Sequence, residues 1–272
     1  MHPRVRLVAT DLDGTLVHSD GSVTARTRAA LVAAEAAGIE VVFVTGRPLR
    51  WAEDVFEHVG GHGLAVVSNG ALVWDVAAAG VHLLRAIDPA TGLEIARRIR
   101  AAVPESHFAV ETLEGIALED GFLERYPLPD GSRRGPIEEL FAAPALKLLA
   151  RHESLGWDEF WRRADEAVGD LAEITWSSNS SLLEISAAGV TKASTLALLC
   201  ARRGITAEEV LALGDMPNDL PMLAWAGTSY AMANAHPTVL EAAGHRAPAN
   251  DDDGVARVIE GLLDSGVDPR QD

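Results

Sequence analysis

The chain is poor in cysteine, in lysine and in aromatic residues, and each shortage excludes something. A single cysteine, Cys200, allows no intramolecular disulfide and no thiolate-rich zinc site. It falls on the apolar side of an expected helix and reads as a small core residue. Of the 23 basic residues only Lys147 and Lys192 are lysines, and the arginines form no run longer than a pair. At a formal net charge of -17 the chain would repel a phosphate backbone, which argues against nucleic-acid binding. No apolar run approaches the roughly 18 residues of a membrane span, and MHPRVRLVAT lacks the apolar stretch of a signal sequence. The expectation is a soluble, cytoplasmic protein without membrane contact, its oligomeric state open.

What is present points to a packed enzyme-sized fold. The 272 residues, 48% hydrophobic and 23% charged, lie in the globular range and suffice for one large domain or two unequal ones. The N-terminal part alternates strand and helix: a strand to Thr10, a helix from Thr24 to Ala37, the buried strand EVVFV, and a helix from Pro48 to Val59 with Trp51, Val55, Phe56 and Val59 on one face. A strand from Leu64 reaches Asn69-Gly70, a turn signal that implies a hairpin into ALVWD. From about Leu84 the pattern changes to helices from Pro89 to Val103 and from Leu155 to Val168. They stand among the short strands HFAVE, IALE, ALKLLA, AEITWS and SLLEIS. After Gly189 the strand-helix alternation returns, with a helix from Thr191 to Arg203, the strand EEVLALG, a helix from Pro217 to Ala226, the strand TSYAMA and a last helix to Leu263. The expected architecture is therefore α/β: a Rossmann-like parallel-sheet core over residues 1–83 and 189–272, interrupted by an α+β module over 84–188.

Chemistry concentrates where strands end. VRLVATDLDGTL puts Asp11 and Asp13 after an apolar strand, where a carboxylate needs water, a metal or a partner, and their spacing of two along an extended segment is expected to point both side chains to one side. Thr45-Gly46-Arg47 follows EVVFV, Asp215, Asn218 and Asp219 follow EEVLALG in GDMPND, and Lys192 opens a helix. Ligands of open parallel sheets bind outside the carboxyl ends of the strands, so these groups are expected to gather at one rim, joined by Lys192 at an anion-attracting helix start. Carboxylate oxygens from Asp11 and Asp215 suit Mg²⁺, which prefers hard oxygen ligands and keeps waters for a substrate phosphate.

The ordered set DLDGTL, VTGR, Lys192 in GVTKASTLALL, and GDMPNDLPML resembles the four motifs of the haloacid dehalogenase superfamily, in particular its Cof-type phosphatases with a large inserted cap. AMANAHPTV and NDDDGVARVIEGLL are similar to that subfamily's tail, and the one small departure is Ala193, where the family commonly has glycine. The resemblance implies hydrolysis of a small phosphate monoester, a sugar or cofactor phosphate, with Asp11 as nucleophile and an aspartyl phosphate as intermediate. It implies Asp13 as general acid and base, Thr45, the Gly46 amide and Lys192 as holders of the phosphoryl oxygens, and Arg47 and Asn218 as substrate contacts. Mg²⁺ would be held by Asp11, Asp215 and the Asp13 carbonyl, and Asp219 would orient Lys192. Phosphoryl transfer to another alcohol, or non-catalytic sensing of a phosphorylated metabolite, are the alternatives on the same fold. The expected specificity loops are Glu111 to Gly115 and Ser178 to Ser180 in the cap.

Other patterns read as structural. Gly60-Gly61 breaks the helix that would align His58 with His62 as a metal pair. Gly227-Thr-Ser229 lacks the helix of a serine elbow. VGGHG opens no helix and is no dinucleotide fingerprint. Asp251 to Asp253 are expected to cap the last helix, Asn69 to serve its turn, and Lys147 to snorkel from its strand.

Overall fold

The computed structural model describes residues 4–59, 63–125, 127–175 and 181–264. The side chains of His58 and His62 and the loop Ser178 to Ser180 lie outside what is described. The chain forms two compact units, one of residues 1–47, 51–83 and 192–272, the other of 84–191 together with 48–50.

The first unit is built on β1 (Leu7–Thr10), β2 (Glu40–Val44), β3 (Leu64–Val67), β4 (Leu72–Asp75) and β5 (Gly80–Leu84), with α1 (Ala25–Ala36) and α2 (Leu49–Val59) between the first three strands. Strands β1 to β3 are wholly buried except for Glu40, as continuous apolar runs covered on both faces must be. Asn69-Gly70 turns the chain as expected, since β3 and β4 pair antiparallel with Val67 opposite Leu72.

The second unit holds β6 (His107–Thr112), β7 (Gly115–Leu118), β8 (Arg133–Arg134), β9 (Lys147–Arg151), β10 (Ala172–Thr175) and β11 (Leu182–Ala187), with α3 (Pro89–Ala102), α4 (Ile137–Leu140) and α5 (Trp157–Val168). They form a six-stranded sheet in the order β10-β11-β9-β6-β7-β8. Strand residues alternate between faces. Phe108, Val110, Leu148, Ala150, Leu183 and Ile185 join a core with Ile95 and Ile99 of α3 and Phe160 and Ala164 of α5. Ala109, Ile116, Leu118 and Phe122 form a smaller cluster. Lys147 corrects the sequence reading: it does not snorkel but lies buried and bonded to the buried Glu184 of β11. A strand lysine reaches water only at an open sheet face, and this position is covered, so its charge needs a partner.

After Gly189 the chain re-enters the first unit with α6 (Lys192–Arg203), β12 (Val210–Gly214), α7 (Leu220–Trp225), β13 (Thr228–Met232), α8 (Pro237–Ala242), β14 (His245–Ala247) and α9 (Gly254–Asp264). The completed sheet has eight strands in the order β14-β13-β12-β1-β2-β3-β4-β5, parallel from β14 through β3. The chain builds outward from β1 to β3 and later returns to place β12 on the other flank of β1. That reversal of winding opens a crevice at the carboxyl ends of β1 and β12.

Five elements escape the sequence reading: β5, β8, α4, α8 and β14. All are short, and β5 exposes Val81, His82 and Leu84, so it lacks the buried alternation by which a strand is recognised. Asp251 and Asp253 are a second correction. Rather than capping α9, Asp251 accepts from the Ser19 amide and hydroxyl at 2.7 Å each, and Asp253 accepts from Thr24 Oγ1 at 2.6 Å at the start of α1. Hydroxyl and amide donors near the positive end of another helix outcompete their own helix for the carboxylates.

Candidate active site

Three adjacent parallel strands set the site. Thr10, the last residue of β1, lies in register with Leu213 of β12 and Phe43 of β2, so Asp11, Asp215 and Thr45 emerge side by side at the carboxyl edge. The Asp11 amide extends the ladder by one bond, to Leu213 O at 3.1 Å. Beyond it the chain turns: Thr15 N and Val17 N both bond back to Leu12 O. The two aspartates therefore do not share the pleat of one strand. Asp11 is buried, whereas the side chain of Asp13 is 57% exposed.

Asp11, Lys192, Asp219 and Asp215 form one buried network. Lys192 Nζ donates to Asp11 Oδ1 at 2.8 Å and to Asp219 Oδ1 at 2.7 Å, bridging residues 181 and 27 positions away in the chain. Asp219 Oδ2 accepts from the amides of Asp215 and Met216 at 3.1 and 3.0 Å. Asp219 is fully buried, so it is no solvated residue of a helix start. Thr15 Oγ1 donates to Asp215 Oδ1 at 2.7 Å. Gly14 makes this approach possible: at φ +71° a Cβ there would also lie 2.4 Å from Asp215 Oδ2.

The charges do not balance within this network. Burial pushes Asp11 well above the ordinary carboxylate range, against the pull of Lys192 and with the repulsion of Asp219 and Asp215. Burial and the charge of Asp219 lift Asp215 to about 6, despite the bond from Thr15. Burial would lower Lys192, but the two carboxylates that face it outweigh this and hold it above the usual lysine range. Three carboxylates that all approach within 4.8 Å thus share one ammonium. A bound cation is the physical means of keeping them ionised together.

The donor set says which of them could hold it. Both oxygens of Asp219 are engaged by protein donors, whereas among the described residues Asp11 Oδ2 and Asp215 Oδ2 accept no hydrogen bond. Two open, hard carboxylate oxygens fit Mg²⁺. The Asp13 side chain is not in the cluster. It is held instead by Arg47 in a fork, Nε to Oδ2 at 2.8 Å and a terminal nitrogen to Oδ1 at 2.5 Å, which raises the Arg47 pKa.

The loop after β2 is braced from beneath. Thr45 is fully buried and its hydroxyl accepts from the Arg47 amide at 3.0 Å. Ser68 and Asn69, both at positive φ and both buried, bond through their amides to Arg47 O and Thr45 O at 2.9 and 3.1 Å. Asn218 Nδ2 donates to Asn69 Oδ1 at 3.3 Å, and a Cβ on Gly46 would lie 2.9 Å from that same oxygen. Asn69 is therefore more than a turn residue. The Asn-Gly signal stands in the sequence, but the partners of Asn69 lie in the loops after β2 and β12. In Gly227-Thr-Ser229, Ser229 Oγ accepts from the Gly244 amide at 3.2 Å.

A family model of haloacid dehalogenase-like hydrolases matches residues 8–259. The chain belongs to that family. The hydrolase is similar to the 5-amino-6-(5-phospho-D-ribitylamino)uracil phosphatase YcsE of Bacillus subtilis (strain 168), 27% identical over 264 residues and 94% of each chain. It is similar to the phosphatase YwpJ of the same organism, 29% identical over 297 residues, covering 95% of this chain and 100% of that one. The solved structure of SMU.1108c from Streptococcus mutans UA159 superposes with a TM-score of 0.84 at 24% identity, over 96% of the hydrolase and 99% of its counterpart. The fold of the hydrolase is that of the superfamily, a Rossmann-like α/β core with an inserted α+β cap.

Proposed function

We propose that this hydrolase cleaves a small phosphate monoester, a sugar or cofactor phosphate, through an aspartyl phosphate, with residues 1–83 and 189–272 as its catalytic core and 84–188 as the cap that selects the substrate. The observation that carries the reading is the buried Asp11 carboxylate, fixed through Oδ1 by Lys192 at 2.8 Å and clustered with Asp215 and Asp219. In the first half-reaction one oxygen of that carboxylate attacks phosphorus, the bond to the ester oxygen breaks, and Asp13 gives the leaving oxygen a proton. In the second, Asp13 takes a proton from water, the water oxygen attacks phosphorus, and Asp11 leaves as a carboxylate with inorganic phosphate.

Lys192 neutralises Asp11 as the anionic phosphoryl group arrives, and Asp219 keeps the ammonium aimed. Thr45, the Gly46 amide and Lys192 hold phosphoryl oxygens. Asp11, Asp215 and the Asp13 carbonyl would hold Mg²⁺, which supplies positive charge against the anionic oxygens. The fork from Arg47 occupies both carboxylate oxygens of Asp13. Freeing Asp13 for the ester oxygen requires Arg47 to turn toward the substrate anion, which makes Arg47 a substrate contact, with Asn218 beside it.

The test is phosphate release from p-nitrophenyl phosphate and from a panel of phosphorylated metabolites with Mg²⁺. Wild type should turn over, with inorganic phosphate as the sole phosphorus product. A phosphorylated alcohol as product would make the protein a transferase, and no turnover of any ester would defeat the reading.

A further inference from the structure

The tail motifs AMANAHPTV and NDDDGVARVIEGLL have no part in the chemistry so far, yet their asparagines reach the turn that follows the nucleophile. Asn234 Nδ2 donates to Gly14 O at 2.7 Å, and its Oδ1 accepts from the backbone amide of Asn250 at 3.0 Å. Asn250, itself buried, donates from Nδ2 to Val17 O at 2.9 Å. The amide orientations are dictated by these partners, since the Asn234 nitrogen meets a carbonyl and its oxygen meets an N–H. Two residues on, His236 N donates to Asp215 O at 2.8 Å. One short segment after β13 thus holds both the turn that carries Asp13 and the backbone of Asp215.

This grip acts at Gly14, which at φ +71° has no Cβ to resist rotation of its peptide and lies between the exposed side chain of Asp13 and the buried Thr15, while Leu12, Leu16 and Val17 anchor the ends of the turn in the core. Rotation there would carry away Thr15, whose hydroxyl holds Asp215, and would swing the Asp13 carbonyl.

We propose that Asn234 and Asn250 are positioning residues for phosphoryl transfer, locking the Asp13–Val17 turn so that Asp13 and Asp215 keep their places around Asp11. The inference rests on the phosphatase reading above. A misplacement of about 1 Å at a reacting centre can cost ~10²-fold in rate, so the effect belongs in kcat.

The experiment compares wild type, Asn234→Ala and Asn250→Ala in kcat and KM for p-nitrophenyl phosphate, and in the rise of the melting temperature on titration with Mg²⁺. Asn234→Ala should lower kcat at least about tenfold with KM within about threefold, and should need severalfold more Mg²⁺ for half of the melting shift. Asn250→Ala should do the same more weakly, because its backbone amide still orients Asn234. A lower metal-free melting temperature with unchanged kcat per folded molecule and an unchanged Mg²⁺ midpoint in both variants would overturn the proposal. Should wild type hydrolyse no ester, the phosphatase reading falls, while the Mg²⁺ midpoints still decide whether the asparagines position the site.

Discussion

The only two lysines of the chain invite comparison, because both are buried and both pair with buried carboxylates. Lys147 meets Glu184 across two strands of the second unit. Lys192 sits between Asp11 and Asp219, with Asp215 in the same cluster. Among the described residues no cluster of three carboxylates like that beside Lys192 surrounds Lys147. A lysine outnumbered by carboxylates leaves negative charge in a buried place, and that surplus is what a metal ion and an anionic substrate can use together. The difference between a structural ion pair and a reactive one lies in the stoichiometry of charge, not in burial.

The sharpest way to break the comparison is at the carboxylates. Asp11→Asn should abolish turnover and any acyl phosphate, since an amide cannot attack, whereas Glu184→Gln should leave kcat within about threefold and lower the melting temperature. Steady-state kinetics and thermal melts on both variants measure this. Removing one partner of a buried pair costs ~3–5 kcal/mol, which sets the scale of the melting shift. Equal kinetic losses in the two would mean that the second pair is no mere structural bridge.

Metal removal separates the regions next. EDTA should abolish turnover and Mg²⁺ restore it; Mg²⁺ should also raise the melting temperature of wild type but not of Asp215→Ala. Full activity in chelator would remove Mg²⁺ from the mechanism.

The lysines themselves come third. In a chain with 21 arginines, Lys192 stands where a compact ammonium must touch two carboxylates, a geometry the wide, planar guanidinium fits badly. Lys192→Arg should cut kcat by at least about tenfold, ~1.4 kcal/mol of barrier, at saturating Mg²⁺. Lys147→Arg should leave kcat nearly unchanged and act on the melting temperature, because its pair too is buried. The smallest effect concerns Cys200, whose thiol burial pushes up to about 11. It stays protonated below that pH, so native protein should react with a thiol reagent at pH 8 far more slowly than protein in denaturant.

Much of this was legible in local pattern. Continuous apolar runs marked β1 to β3 because a parallel strand is buried on both faces, and the motif residues were found because each directly follows a strand or opens a helix. Short or edge elements such as β5 and α8 were not, since their burial pattern comes from neighbours rather than from their own residues. Lys147 and Asp253 were misread for the same reason: the sequence shows a charge, but its partner lies 37 residues away for the one and 229 for the other.

By itself the sequence determined the alternation of strand and helix, the place of the inserted module, and the residue types available at each strand end. The tertiary structure alone decided which charges meet. The parallel register of β1 against β12 brings Asp11 beside Asp215, and the return of α6 to the first unit carries Lys192 across 181 residues to Asp11. Charges interact through space and burial strengthens them, so the reactivity of these side chains exists only once the sheet has closed around them.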